Sequence, residues 1–351
     1  MHTGGEAHSR RGMVTSPDLS ASAAGRDVLA AGGTAVEAVV AAGAVLAVTY
    51  PHFCGLGGDA VWLLADGEGR RDCLLGIGQA AAELPAYPDG IPPRGPLSAI
   101  TSACLVDSWE TALACSRQAW GGTGTLADLL EPAVRLAEDG FPLTASQAWW
   151  RDYRAKDIAN WPGFLPLFDA DRAGMPFRQP QLAETLRRIQ QDGSRDFYEG
   201  ALAADIARGL QAVGSPLRAA DLAATRTRHA EPLSLDYRGT TLLAPPPPTQ
   251  GVTTLAIMGI LSRLDPGALT AGGPDHLHLL VEAVKRAFLD RRGIADPDAV
   301  AQRTDEWLSA DRLDAHAASI DAGRAMGWPH RFQTGDTVFL AACDAQGRCA
   351  S

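Results

Sequence analysis

Gly335-Asp336-Thr337-Val338-Phe339-Leu340-Ala341-Ala342-Cys343-Asp344 is the stretch on which the reading of this chain turns. A glycine-containing turn, a hydroxyl residue and an apolar run predict a loop feeding a buried β-strand, with Thr337 as its first inward residue. Threonine is β-branched and suits a pleated surface, so a plain strand-former is one reading of Thr337. The other is chemical. A chain cut between Asp336 and Thr337 exposes an amino group beside a hydroxyl, making one residue both nucleophile and base. An α-amino group titrates near about pH 7.7 to 8.0, where a general base is effective. Before any cut, the same hydroxyl can attack the carbonyl that precedes it.

The chain around this stretch has 351 residues, 46% apolar and 21% charged, with a net charge of -10. That length removes enough surface from water for a sizeable core, in one large or two medium domains. The acidic balance, with Lys156 and Lys285 the sole lysines, argues against nucleic acid or an anionic membrane as a partner. No apolar leader follows Met1 to Gly12, and the longest apolar run, Ala38 to Tyr50, is too short to span a bilayer. Cys54, Cys73, Cys104, Cys115, Cys343 and Cys349 show no metal-type spacing, so reduced thiols in a cytoplasm are expected, with no metal and no cofactor.

Towards the N-terminus, Gly12 to Ser16 reads as a short strand. A helix follows over Ser20 to Ala31, capped by Ser16 or Asp18 and stopped by Gly32-Gly33. Thr34 to Val48 is apolar on nearly every face and predicts a helix inside the core. The glycines of Pro51 to Asp59 precede a strand, whereas nucleotide loops follow one, so close backbone packing is the expectation there. Trp149, Trp150, Tyr153 and Trp161 read as core-filling aromatics in a loop-rich region. Helices are expected over Leu126 to Asp139, Leu182 to Asp192, Ala201 to Val213, Thr253 to Leu264 and His276 to Arg291, and a strand over Tyr237 to Leu243. Pro245 to Pro248 predicts a rigid turn. His276 and His278 sit on different helix faces, while His278 and Glu282, four apart, can hydrogen-bond.

An ordered set of motifs resembles the γ-glutamyltranspeptidase family of N-terminal-nucleophile hydrolases: Gly12-Met13-Val14; Gly32-Gly33-Thr34-Ala35-Val36-Glu37-Ala38; Pro51-His52 through Gly55-Leu56-Gly57-Gly58; Phe197-Tyr198-Glu199-Gly200; Asp221-Leu222; Pro246 to Gly251; and the helix bearing His278, Glu282, Lys285 and Asp290-Arg291. The resemblance implies an α+β fold, an αββα sandwich that is incomplete at the C-terminus here. It implies a precursor that cleaves itself before a threonine. Residues 1-12 are then a mobile N-terminus, 13-336 a large-subunit-like region of one domain, and 337-351 the start of a small-subunit-like region. Thr337 falls on the nucleophile position, by Gly335-Asp336 before it and Asp344-Ala345-Gln346-Gly347 after it, which looks like the family's hairpin turn. The implied reaction is attack on a γ-glutamyl amide such as glutathione, with the acyl group passed to water or an amine.

Three spellings depart from the transpeptidase pattern. Gln79, within Gly76-Ile77-Gly78-Gln79-Ala80-Ala81, stands where the acylase-like branch carries an arginine that clamps the substrate carboxylate. Losing such a charge-assisted bond costs roughly 10- to 100-fold in binding. Val338-Phe339 replaces threonine and histidine, a spelling nearer the acylase-like branch. Ala103-Cys104 replaces a usual Pro-Gly. Family members also continue well beyond the nucleophile, so the expected partners are a small-molecule amide or γ-glutamyl substrate and the chain's own C-terminal small subunit. Two alternatives accompany the transferase reading: an acylase for amides without an α-carboxylate clamp, and a catalytically silent family member acting as a binding protein.

Overall fold

The structure, a computed structural model, describes residues 7–159, 161, 176–328 and 337–351. It contains two compact units: Met1–Arg70, Leu74–Arg228 and Asp336–Ser351 form the first, and Arg71–Cys73 with His229–Gly335 the second. The strands are β1 (Gly12–Thr15), β2 (Ala60–Ala65), β3 (Arg71–Gly76), β4 (Arg228–Ala230), β5 (Leu233–Tyr237), β6 (Thr240–Ala244), β7 (Ala341–Asp344) and β8 (Cys349–Ala350). The first unit lays α1 (Leu19–Ala30) and α2 (Ala35–Thr49) beside a sheet in which β7 sits between β1 and β8, and β8 next to β2. All three of these pairings are antiparallel. The class is α+β, as the motifs predict.

The N-terminal helices form where their caps direct. The Asp18 carboxylate accepts the Ser20 and Ala21 N–H groups and starts α1. Thr34 and Glu37 make a reciprocal capping box at α2. Every α2 residue except Gly43 is buried, so α2 is the axis of the core. Close approach of α1 requires Gly25, where a Cβ would lie 2.9 Å from the Ala38 carbonyl oxygen. α3 (Leu105–Trp120) and α4 (Leu126–Asp139) pack on α2; α5 (Ala145–Tyr153) and α6 (Ala155–Ile158) follow in the chain, and α7 (Pro180–Asp192) packs on α4. The Gln190 amide of α7 donates to the Ala127 carbonyl of α4 at 2.8 Å.

In the second unit the helix Gly251–Ser262 packs on the β5–β6 hairpin and on the helix Ala310–Ala318, with Gly259 fitted against Leu313 and Leu235. The helix Pro274–Ala287 carries Glu282, fully buried between Lys285 at 2.8 Å and Arg286 at 3.0 Å and accepting the Met326 N–H. Burial alone would raise the Glu282 carboxyl. The Lys285 and Met326 hydrogen bonds and the two cations outweigh it and hold the group below the usual carboxylate range.

Several expectations are corrected. Tyr237 to Leu243 is no single strand: the chain reverses at Arg238-Gly239, both with positive φ, and pairs β5 with β6. Trp149 and Tyr153 do not fill the core. They stack on each other at 5.1 Å on the outer face of α5, 57% and 56% exposed. Gly55 and Gly57 border open space, so close packing does not explain them; Gly58 alone is tight, and its carbonyl takes the Cys104 and Leu105 N–H groups that begin α3. His278 bonds the Asp321 carbonyl rather than Glu282, whose oxygens are taken by the cations beside it. Cys343 and Cys349 form a disulfide where free thiols are expected, because the β7–β8 register sets them opposite one another.

Candidate active site

Thr337 reaches the surface through a chain of local constraints that begins at Asp344. Asp344 is 5% exposed and closes the β7–β8 hairpin by accepting the Gln346 and Arg348 N–H groups, with Gly347 at positive φ. Its second oxygen accepts the Ala35 N–H at the start of α2 and holds the Arg348 guanidinium at 2.7 Å. β7 is thereby pinned to the core helix, and its register to β1 runs from Gly12 opposite Asp344 to Thr15 opposite Ala341.

That register decides which way Thr337 points. Successive strand side chains face opposite sides, and Ala342 and Asp344 are the buried ones. Val338 and Leu340 follow the same parity and pack on the core, while Thr337 and Phe339 lie outward. Thr337 is therefore not the first inward residue of a strand. The strand itself begins at Ala341, since β1 ends at Thr15, where Ser16-Pro17 turns the chain towards α1 and Pro17 has no N–H to give a ladder.

The outward Thr337 borders a cleft of about 380 Å³ walled by Thr15 to Pro17, Tyr50, Phe53 and Val338-Phe339. No described residue is hydrogen-bonded to its hydroxyl. Asp336, expected on the other side of the cut, lies outside the described residues. Tyr50 and Phe53, which the sequence reading did not single out, flank the Pro51-His52 motif and stack with ring centroids 5.5 Å apart. Their proximity to Thr337 bridges nearly three hundred positions, and no local signal announces it.

Gln79 is exposed and is not among the residues lining that cleft. Its backbone is nevertheless fixed. Gly78 lies so close to Ser102 that a Cβ would overlap the Ser102 carbonyl, and the Gly78 N–H donates to Asp59 at 3.0 Å. Asp59 also accepts the Cys104 N–H at 3.2 Å, tying the glycine-rich loop, the Gln79 segment and the start of α3 to one carboxylate. Burial raises the Asp59 pKa against the two N–H donors. The other motif residues of this unit serve as bolts. The Asp107 carboxylate holds Arg195 at 2.9 Å and the Thr227 N–H at 2.6 Å, and the Tyr198 hydroxyl accepts the Asp107 N–H. Burial pushes the thiols of Cys54 and Cys73 up to about 12 and that of Cys104 up to about 11, so none is a nucleophile at neutral pH.

Among the described residues no group of three His, Cys, Asp or Glu is placed to hold a metal ion, and no helix is long and apolar enough to cross a membrane.

A family model described as gamma-glutamyltranspeptidase matches residues 21–351. The chain is 41% identical to the oxamate amidohydrolase proenzyme of Klebsiella pneumoniae, over 98% of this chain and 66% of that protein. It is 37% identical to the glutathione hydrolase-like YwrD proenzyme of Bacillus subtilis, over 97% of this chain and 65% of that protein. It thus spans slightly under two thirds of the length of these relatives. Its fold is similar to the crystal structure of cephalosporin acylase from Bacillus halodurans, with a TM-score of 0.86 and 27% identity over 100% of this chain and 67% of that one. With the family model matched from the first helix to the last strand, the chain belongs to the γ-glutamyltranspeptidase family.

Proposed function

We propose that this protein is a self-cleaving N-terminal-threonine amide hydrolase or acyltransferase of the γ-glutamyltransferase type, with Thr337 as nucleophile. The observation that carries the reading is the placement of Thr337: outward, unpartnered among the described residues, at the lip of a cleft, on a segment whose register is locked by Asp344. The proenzyme names of the two relatives above support the self-processing step.

In the maturation step the Thr337 hydroxyl attacks the Asp336 carbonyl. Its oxygen replaces the Thr337 nitrogen on that carbon, and water then hydrolyses the ester to free a carboxyl on Asp336 and an amine on Thr337. In turnover that amine takes the hydroxyl proton as the oxygen attacks a substrate amide, and the proton leaves with the departing amine. The acyl ester on Thr337 passes to water or to an amine acceptor. The partner proposed for this chemistry is the polypeptide that follows Thr337, as the small subunit.

Between γ-glutamyl amides and simpler amides, Gln79 favours the simpler ones. Gln79 does not line the Thr337 cleft of this chain, and the proposal rests on its position in the sequence, where an arginine would hold an α-carboxylate; a neutral amide cannot supply that charge. Oxamate, the substrate named for the Klebsiella relative, is a small amide that itself carries a carboxylate, so that name does not separate the two classes. The silent binding-protein reading predicts an uncut chain and an unlabelled Thr337.

The test uses the protein expressed from its complete reading frame. Intact mass is expected to show two chains divided between Asp336 and Thr337, and the cut protein is expected to turn over simple acyl amides in preference to γ-glutamyl anilides. Gln79→Arg is expected to shift the ratio of kcat/KM towards the γ-glutamyl compound by roughly 10- to 100-fold. A single uncut mass with no turnover sinks the enzymatic reading, and an unmoved ratio removes Gln79 from the substrate site.

A further inference from the structure

The β7–β8 hairpin carries two fastenings of different chemistry around one turn. Asp344 and Arg348 form the inner one. The Arg348 guanidinium is paired with the Asp344 carboxylate at 2.7 Å, and its Nη1 donates to the carbonyl of Trp120, the last residue of α3, at 2.8 Å. Cys343 and Cys349 form the outer one, a disulfide one residue further along each strand. Their Cα atoms lie 4.3 Å apart, the close spacing of opposed residues that exchange no backbone hydrogen bonds. The covalent link therefore encircles Asp344 and Arg348 and keeps the two side by side.

The disulfide is also placed where a small thiol can meet it. Ala342 and Asp344 face the core, so Cys343 shares the outward parity of Thr337 and Phe339, and both members of the disulfide are half-buried. The four free thiols are unlike it. Cys73, Cys104 and Cys115 are buried, and burial raises the thiols of Cys54, Cys73 and Cys104, which makes them poor partners for exchange.

We propose that Cys343–Cys349 is a reversible thiol–disulfide site that locks the hairpin by which Thr337 is positioned, so that reduction slows the Thr337 reaction. The effect on Thr337 rests on the reading of that residue as nucleophile; the lock itself does not. In the reducing step the thiolate of a small thiol attacks one of the two sulfurs, the S–S bond breaks, and the sulfur released takes a proton. A second thiol then attacks the mixed disulfide, which frees the other cysteine thiol and leaves the reductant oxidised as its own disulfide. The turn is afterwards held by Asp344 and its hydrogen bonds alone, and it opens more often. Thr337 feels the change through β7, whose register to β1 sets its outward direction.

The full reading-frame protein is tested with dithiothreitol as reductant and oxidised glutathione as oxidant. Alkylation, read by peptide mass, is expected to label Cys343 and Cys349 in the reduced, folded protein and neither of them after reoxidation. Hydrogen exchange in the β7–β8 peptide is expected to quicken by roughly 10- to 50-fold on reduction. Turnover of a simple acyl amide is expected to fall by roughly tenfold and to recover on reoxidation. The folded Cys343→Ser/Cys349→Ser variant should sit at the reduced level under both conditions, which separates the lock from any other action of the reductant. Resistance of the bond to dithiothreitol in the folded protein, unchanged exchange, or equal turnover in the two redox states overturns the proposal. A chain that is never cut refutes the reading of Thr337 instead, and the exchange rates then still decide the lock.

Discussion

Thr34 and Thr337 bring the same side chain into opposite surroundings. Thr34 is 3% exposed; its hydroxyl accepts the Glu37 N–H and meets the Ser116 hydroxyl at 2.8 Å, while its own N–H donates to Glu37 at 2.7 Å. Thr337 lies on the outer parity of the segment that Asp344 pins, and its hydroxyl has no partner among the described residues. A hydroxyl spent on a cap serves folding. A hydroxyl held in place by its neighbours, with its own hydrogen bonds open, is available for chemistry. The comparison yields four expectations, each able to break it.

The largest concerns Thr337 itself. Thr337→Ala is expected to leave the chain uncut by intact mass and to lower turnover on the order of 10⁴-fold or more, the scale at which nucleophile removal acts. Thr337→Ser keeps the hydroxyl and is expected to be cut. In the processed protein kcat/KM should fall as pH drops through about 7.7 to 8.0, since the amine that takes the proton is then protonated. Absence of that acid limb in the processed protein would assign the base elsewhere.

Glu37 carries the next effect. It is 2% exposed, and its two oxygens hold the Thr34 N–H and the Gly124 N–H, the latter at 2.6 Å. Glu37→Ala strands both donors in the core, and the expected loss is about 3 kcal/mol in denaturant unfolding. A loss below about 1 kcal/mol would mean that water or a backbone shift replaces the carboxylate, and that Thr34 is less rigidly wired than its distances indicate.

These two residues also measure what the sequence discloses. The Asp18 cap, the core helix from Thr34 and the helix over Leu126 to Asp139 were legible because each rests on chemistry within a few positions. The outward parity of Thr337 was not. It depends on which of two alternating faces is buried, and that is settled by Ala35 donating to Asp344 across 309 positions. The same limit hid the outer position of two aromatics of α5: Trp149 and Tyr153 read as core, yet burial in this helix went to Gln147. The β5–β6 turn was missed because Arg238 carries positive φ without being glycine. Gln79 was legible as a departure in spelling, while the reason its backbone cannot move, the contact of Gly78 with Ser102, was not.

Thr34→Ala removes the cap but leaves Glu37 to hold the Thr34-position N–H. The expected cost is about 1 kcal/mol, within the range for losing such a cap, with cleavage at Thr337 unaffected. Because Ser116 loses its partner as well, Thr34→Ser should recover most of the stability. Failure of the serine variant to do so would assign the effect to packing of the threonine methyl.

The smallest effect is the most diagnostic. Thr337→Ala, which is expected to end the chemistry, should change the unfolding free energy by no more than about 0.5 kcal/mol, as for an exposed side chain with nothing to lose. The measurement belongs on the Thr337→Ala protein against an uncut reference such as an Asp336 variant, since cleavage itself alters the chain entropy of the unfolded state. A loss of 1 kcal/mol or more would mean that the Thr337 hydroxyl is engaged in the folded precursor, by residues beyond those described. Thr337 would then resemble Thr34, and its openness to attack would have to arise only after the cut.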